Sequence, residues 1–181
     1  MTLDDFLAQL AARTPTPGGG GAAAVTGAMA AGLVAMAARF SVARLPGALE
    51  LAEQADELRH RAAGLAEADA AAYTTVLDAR RQDGDLRKAL YDATVVPLEI
   101  AEIGARVAQM AARVALAGNP NLRGDAVTAV LLAAASARSA ACLVDINVTW
   151  GELEPGLSRR ATQAVAEAAD AAERVISGTA S

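Results

Sequence analysis

Residues 14–38 read TPTPGGGGAAAVTGAMAAGLVAMAA and contain no charged side chain. Alanine is the best helix former, so this stretch predicts a helix from about Gly20 to Arg44. The helix is apolar all round, which marks an element enclosed by the rest of the fold. About 20 apolar residues can also cross a bilayer. This run, however, is mostly alanine and glycine and starts with Pro15 and Pro17, so it reads as the central helix of a bundle. Gly27, Ala31 and Gly32 leave room on it for a neighbouring backbone.

Helical patterns continue on both sides. Thr2 to Ala12 places Leu3, Phe6, Leu7 and Leu10 on one face, behind a capping pair of Thr2 and Asp5. Leu45-Pro46-Gly47 turns the chain into a long third helix, about Ala48 to Arg80. A fourth helix covers about Leu86 to Ala117. Pro97 lies inside it and predicts a kink, because proline lacks the donor that position needs. After a loop of turn residues, Asp125 is expected to cap a fifth, apolar helix reaching about Val148. A sixth runs from about Leu157 to Ile176. The fold class is therefore all-α, a single domain over residues 1–181. It is an antiparallel bundle of about six helices in which the second and fifth, rich in alanine and glycine, are the inner members.

Composition sets limits on function. Hydrophobic residues make up 54% of the chain and aromatics only 3%, so small side chains must fill the core and helices must pack close. The net charge of −5 argues against nucleic acid and against acidic membrane surfaces as partners. Cys142 and His60 are the sole residues of their kinds, which leaves no cysteine or histidine cluster for a metal. The start Met1-Thr2-Leu3-Asp4-Asp5 lacks the basic and apolar regions of a signal peptide, and a cytoplasmic location is expected.

Three groups of residues can carry chemistry. Pro17 and Gly18, Gly19, Gly20 and Gly21 feed a helix whose first amides could face an anion, although the same residues also make an ordinary turn. Asp69 shares a stripe with Leu58, Ala62, Leu65, Ala72, Tyr73 and Val76. A carboxylate in an apolar face is either an acid–base group with a raised pKa or one bonded to a neighbouring helix, and the pattern leaves both open. Asn119, Asn121 and Asp125 fit turn and cap roles, while Asp145 and Asn147 end an apolar helix and need partners.

These motifs together resemble one family. Residues 15–24, followed by Gly27-Ala28-Met29, are similar to the opening of the cyclodeaminase/cyclohydrolase family, which acts on reduced folates. Ala68-Asp69-Ala70-Ala71-Ala72-Tyr73, Val96-Pro97-Leu98, Gly118-Asn119-Pro120-Asn121 with Asp125, and Ile146-Asn147 resemble its later segments, in order. The chain departs from the family at Gly124, Leu143 and Tyr91, where serine, asparagine and a basic residue are usual. The resemblance implies a homodimer of helical bundles that binds a reduced folate in a helix-lined cleft, with no metal or other cofactor. It places the acid–base role on Asp69 and substrate contacts on Pro17, Gly18 to Gly21, Asn119, Asn121, Asp125, Asp145 and Asn147. The four-glycine opening is more similar to the branch that hydrolyses 5,10-methenyltetrahydrofolate to 10-formyltetrahydrofolate than to the formiminotetrahydrofolate cyclodeaminases. A diverged enzyme of carbon–nitrogen chemistry and a non-catalytic binding protein are the alternative expectations.

Overall fold

The computed structural model describes residues 2–178. It contains six α-helices: α1 (Leu3–Ala11), α2 (Gly19–Arg39), α3 (Ala48–Arg81), α4 (Leu86–Ala117), α5 (Arg123–Gly151) and α6 (Gly156–Ser177). A short 3₁₀ turn, Pro120–Leu122, precedes α5. The first helix opens on the expected capping box. Thr2 N–H donates to Asp5 Oδ2 at 2.8 Å, and Asp5 N–H to Thr2 Oγ1 at 3.1 Å.

Helices α2, α3, α4 and α5 form a four-membered ring of neighbours, with α6 laid across α4 and α5. The core draws alanine and valine from nearly all of these elements, with leucine from α3 and isoleucine and methionine from α4, and α4 joins α2 and α5 within it. Glycine permits the closest approach. A Cβ on Gly104 would stand 2.9 Å from both the Ala133 carbonyl and the Ala137 Cβ, so α4 meets α5 backbone to backbone there. Beside this contact, Ser136 Oγ donates to the Ala23 carbonyl at 2.8 Å and ties α5 to α2.

Helix ends differ from the sequence expectation where side-chain hydrogen bonds decide them. The second helix stops at Arg39, not Arg44. Ser41 Oγ bonds back to the Ala37 carbonyl at 2.7 Å and accepts the Asn119 N–H at 2.9 Å, while Asn119 Nδ2 donates to the Phe40 carbonyl at 3.2 Å. These bonds fix a turn ahead of Pro46 and pin the α4–α5 loop to the end of α2. Asp125 does not cap α5, because that helix already starts at Arg123 and its N-cap is Leu122. Asp125 lies in the first turn, where the helix dipole favours an acid. The fifth helix also runs on to Gly151, past Val148.

The fourth helix continues through Pro97. By length and apolarity, α2 and the 120–151 segment could each cross a membrane. In this fold α2 is instead packed against α3, α4 and α5. One apolar strip stays open along α2 and α5, where Met29 is 48% and Leu131 45% exposed.

Candidate functional site

A cleft of about 320 Å³ opens at the end of the bundle where α2 begins and α5 finishes. Thr16, Gly18, Gly19 and Gly20 form one side, Asp69 and Tyr73 of α3 another. Ala93 and Pro97 of α4 form the floor, and Leu143, Ile146, Asn147 and Trp150 of α5 the remaining wall. Its volume is at the small end of the range for ligand pockets.

Asp69 is the one acid on these walls. Its place follows from α2, whose N-cap is Gly18 and has no side chain to bond the first amides. The Gly21 N–H donates instead to the Asp69 carboxylate. That carboxylate caps α2 from a neighbouring helix. Gly20 makes room for it, since a Cβ there would meet Asp69 Oδ1 at 2.0 Å. Burial raises the pKa of Asp69 above the ordinary 3.8, against the smaller opposing effect of the Gly21 N–H. The half-buried group thus combines both sequence alternatives: it is bonded to a neighbouring helix, and it faces a cleft with its pKa raised by burial.

The α5 wall carries a second device. Pro97 has no N–H, so the Ala93 carbonyl loses its helical donor. Asn147 Nδ2 donates to that carbonyl at 3.2 Å. Asn147 therefore lines the cleft and also repairs α4.

The other expected site residues are scattered. Gly18, Gly19 and Gly20 line the cleft, whereas Pro17 and Gly21 stand behind it, Gly21 acting through its amide on Asp69. The Thr16–Pro17 peptide bond is cis. Asp145 is exposed and does not line the cleft. Asn119, Asn121 and Asp125 sit at the opposite end of the bundle. Twenty-two residues of α5 separate Asp125 from Asn147, a rise of about 33 Å. Within one chain those three do not meet Asp69. Asn119 binds the α2 terminus, and its Oδ1 accepts the Asn121 N–H at 3.0 Å.

Sequence reasoning missed Thr16, Ile146 as a wall residue and, above all, Trp150. The signal for the last was spacing, because Ile146, Asn147 and Trp150 follow Leu143 by three, four and seven residues and so share one helical face. Ending the helix at Val148 hid it.

Comparison with known proteins agrees with this geometry. Residues 2–152 match the profile of the family described as formiminotransferase-cyclodeaminase. A methenyltetrahydrofolate cyclohydrolase from Methylorubrum extorquens is 36% identical, over 81% of this chain and 78% of that protein. The crystal structure of formiminotetrahydrofolate cyclodeaminase from Thermotoga maritima superposes with a TM-score of 0.90 at 28% identity, covering 97% of this chain and 93% of that one. With Asp69, the glycine turn and the Val96-Pro97-Leu98 segment meeting at one cleft, the chain belongs to the formiminotransferase-cyclodeaminase family.

Proposed function

We propose that this chain is a folate one-carbon enzyme that hydrolyses 5,10-methenyltetrahydrofolate to 10-formyltetrahydrofolate. The observation that carries the reading is Asp69, a carboxylate with a raised pKa held on the wall of a largely apolar cleft. The relative at 36% identity is itself a methenyltetrahydrofolate cyclohydrolase.

The substrate is a cation whose bridge carbon joins N5 and N10. Asp69 as carboxylate takes a proton from a water molecule as its oxygen bonds to that carbon, giving a neutral tetrahedral adduct. The protonated Asp69 then returns the proton to N5 as the carbon–N5 bond breaks. The hydroxyl proton leaves to solvent, and the formyl group remains on N10. A carboxyl pKa raised toward neutrality suits a group that must both take and give one proton. The apolar walls lower the local dielectric, so a negative Asp69 attracts the cationic substrate more strongly than it would in water. Water and one side chain supply the chemistry, so the reading calls for no metal or cofactor.

The substrate contacts in this proposal are Gly18, Gly19, Gly20 and Asn147 beside Asp69. The open strip on α2 and α5 supports a homodimer, because a symmetric partner would cover it. A cytoplasmic location belongs to the same reading. Pure protein incubated with 5,10-methenyltetrahydrofolate should remove its near-ultraviolet absorbance faster than the uncatalysed reaction does. The fold match to a formiminotetrahydrofolate cyclodeaminase favours one second reading, in which N10 attacks a formimino carbon and ammonia leaves. Ammonia released from 5-formiminotetrahydrofolate, with the methenyl compound left intact, would select it.

A further inference from the structure

The chain has five aromatic side chains, and two of them, Tyr73 and Trp150, line the one cleft that holds Asp69. Trp150 is the only tryptophan and is 57% exposed, an unusual place for so large an apolar surface unless something covers it. The Arg80 guanidinium lies over its ring, 5.3 Å from the centroid. Among the described residues Arg80 forms no ion pair. Arg81 beside it pairs with Asp78 at 3.7 Å, and Arg87 donates to the Glu152 carbonyl at 3.3 Å.

These groups are arranged along α3. Asp69, Tyr73, Val76 and Arg80 follow at four, three and four residues, so they share one face from the inner wall to the rim. Asp69 and Arg80 are about 16 Å apart along the helix axis, at 1.5 Å per residue. Long helical side chains lean toward the N-terminus, which brings the Arg80 head back toward the cleft and onto Trp150 at its rim. The cleft itself, at about 320 Å³, has room for a fused ring system but little beyond it. A ligand placing its reacting carbon at Asp69 must extend past the rim.

We propose that Trp150 and Arg80 form a rim subsite for the aminobenzoyl-glutamate end of a reduced folate, with Trp150 stacking on the benzoyl ring and Arg80 pairing with a glutamate carboxylate. This rests on the folate reading above. A planar guanidinium suits a carboxylate, and an arginine with no acid partner already in place has no ion pair to break. Trp150 and Arg80 bind and select; Asp69 carries the chemistry.

The fluorescence of the single tryptophan reports directly on the subsite. Wild type, Arg80→Ala and Arg80→Lys are titrated with tetrahydrofolate and with its dimethyl ester, whose glutamate carboxylates are masked but whose size is nearly the same. Wild type should bind the free acid about 10- to 100-fold tighter than the ester, with quenching of Trp150, as one charge-assisted pair is worth. Arg80→Ala should lose that preference and Arg80→Lys keep part of it, both retaining the wild-type circular dichroism. Equal affinity of wild type for acid and ester, or a preference that survives Arg80→Ala, overturns the subsite. So does the absence of binding by either ligand. Turnover of 5,10-methenyltetrahydrofolate is measured on the same samples. Normal turnover without acid preference sinks the subsite alone; an Arg80-dependent preference without turnover sustains the subsite and sinks the proposed reaction.

Discussion

Asn147 supplies from its side chain the hydrogen bond that Pro97 withholds from the backbone of α4. The Ala93 carbonyl would ordinarily accept the N–H of residue 97. Proline has none, and Asn147 Nδ2 reaches across from α5 to occupy the carbonyl at 3.2 Å. All three residues line the cleft, so the proline that could have broken α4 instead couples two of its walls.

Asn147→Ala should destabilise the fold by about 1–3 kcal/mol, the usual cost of leaving a buried acceptor unpaired. Pro97→Ala restores a backbone donor, so in that background Asn147→Ala should cost much less. A double-mutant cycle by denaturant unfolding measures the coupling. Strictly additive effects would show that the Asn147 bond does not answer the proline.

Gly20 and Gly64 should respond to alanine in opposite ways, although both are helical glycines. A Cβ on Gly20 would sit 2.0 Å from Asp69 Oδ1, whereas Gly64 has nothing within 4 Å. Gly64→Ala should therefore stabilise the protein by about 0.5–1 kcal/mol through helix propensity. Gly20→Ala should expel the Asp69 carboxylate and lower turnover as severely as loss of Asp69 itself. Turnover and thermal melting of the two variants, side by side, check both signs.

The raised pKa of Asp69 fixes two pH dependences. The folded chain holds the Asp69 proton more tightly than the unfolded chain, whose value is near 3.8. The stability this contributes is present below 3.8 and is lost as pH rises through the folded value. Asp69→Asn lacks that titration, so its melting temperature relative to wild type should climb as pH rises above 3.8 and then level off. Activity moves the other way. The carboxylate is the working base, and kcat/KM should fall toward acid with a midpoint above 3.8. A relative melting curve that is flat with pH contradicts the burial account of Asp69.

Met29 and Leu131 mark the strip expected to be covered by a second copy. Sedimentation at micromolar concentration should show a dimer for wild type and a monomer for Met29→Glu. A wild-type monomer would remove the dimer from the account.

The fold was legible because its signals were long and redundant. The charge-free run into α2, the turn at Leu45-Pro46-Gly47 and the loop after Gly118 leave few alternatives to a bundle. Asp69 was legible for a related reason, being an acid on an otherwise apolar stripe. What sequence could not supply was pairing between distant segments. That Ser41 ends α2 by binding Asn119, or that Gly20 is small for the sake of Asp69, depends on contacts across many residues. Asn119, Asn121 and Asp125 look as polar and as loop-like as a ligand site, yet about 33 Å of α5 keeps Asp125 from the cleft. Trp150 was lost to an error of three residues in the end of one helix.

The central claim is that Asp69 moves the proton that opens the methenyl bridge, and wild type and Asp69→Asn compared on 5,10-methenyltetrahydrofolate test it most directly. Asparagine keeps an oxygen to accept the Gly21 N–H, so the cap on α2 and the fold should survive. Turnover should fall by roughly 10²–10⁴-fold, the usual worth of general acid–base catalysis, with substrate affinity far less changed. An Asp69→Asn protein that melts below wild type yet turns over at the wild-type rate per folded molecule would contradict the account, leaving Asp69 as a helix cap alone.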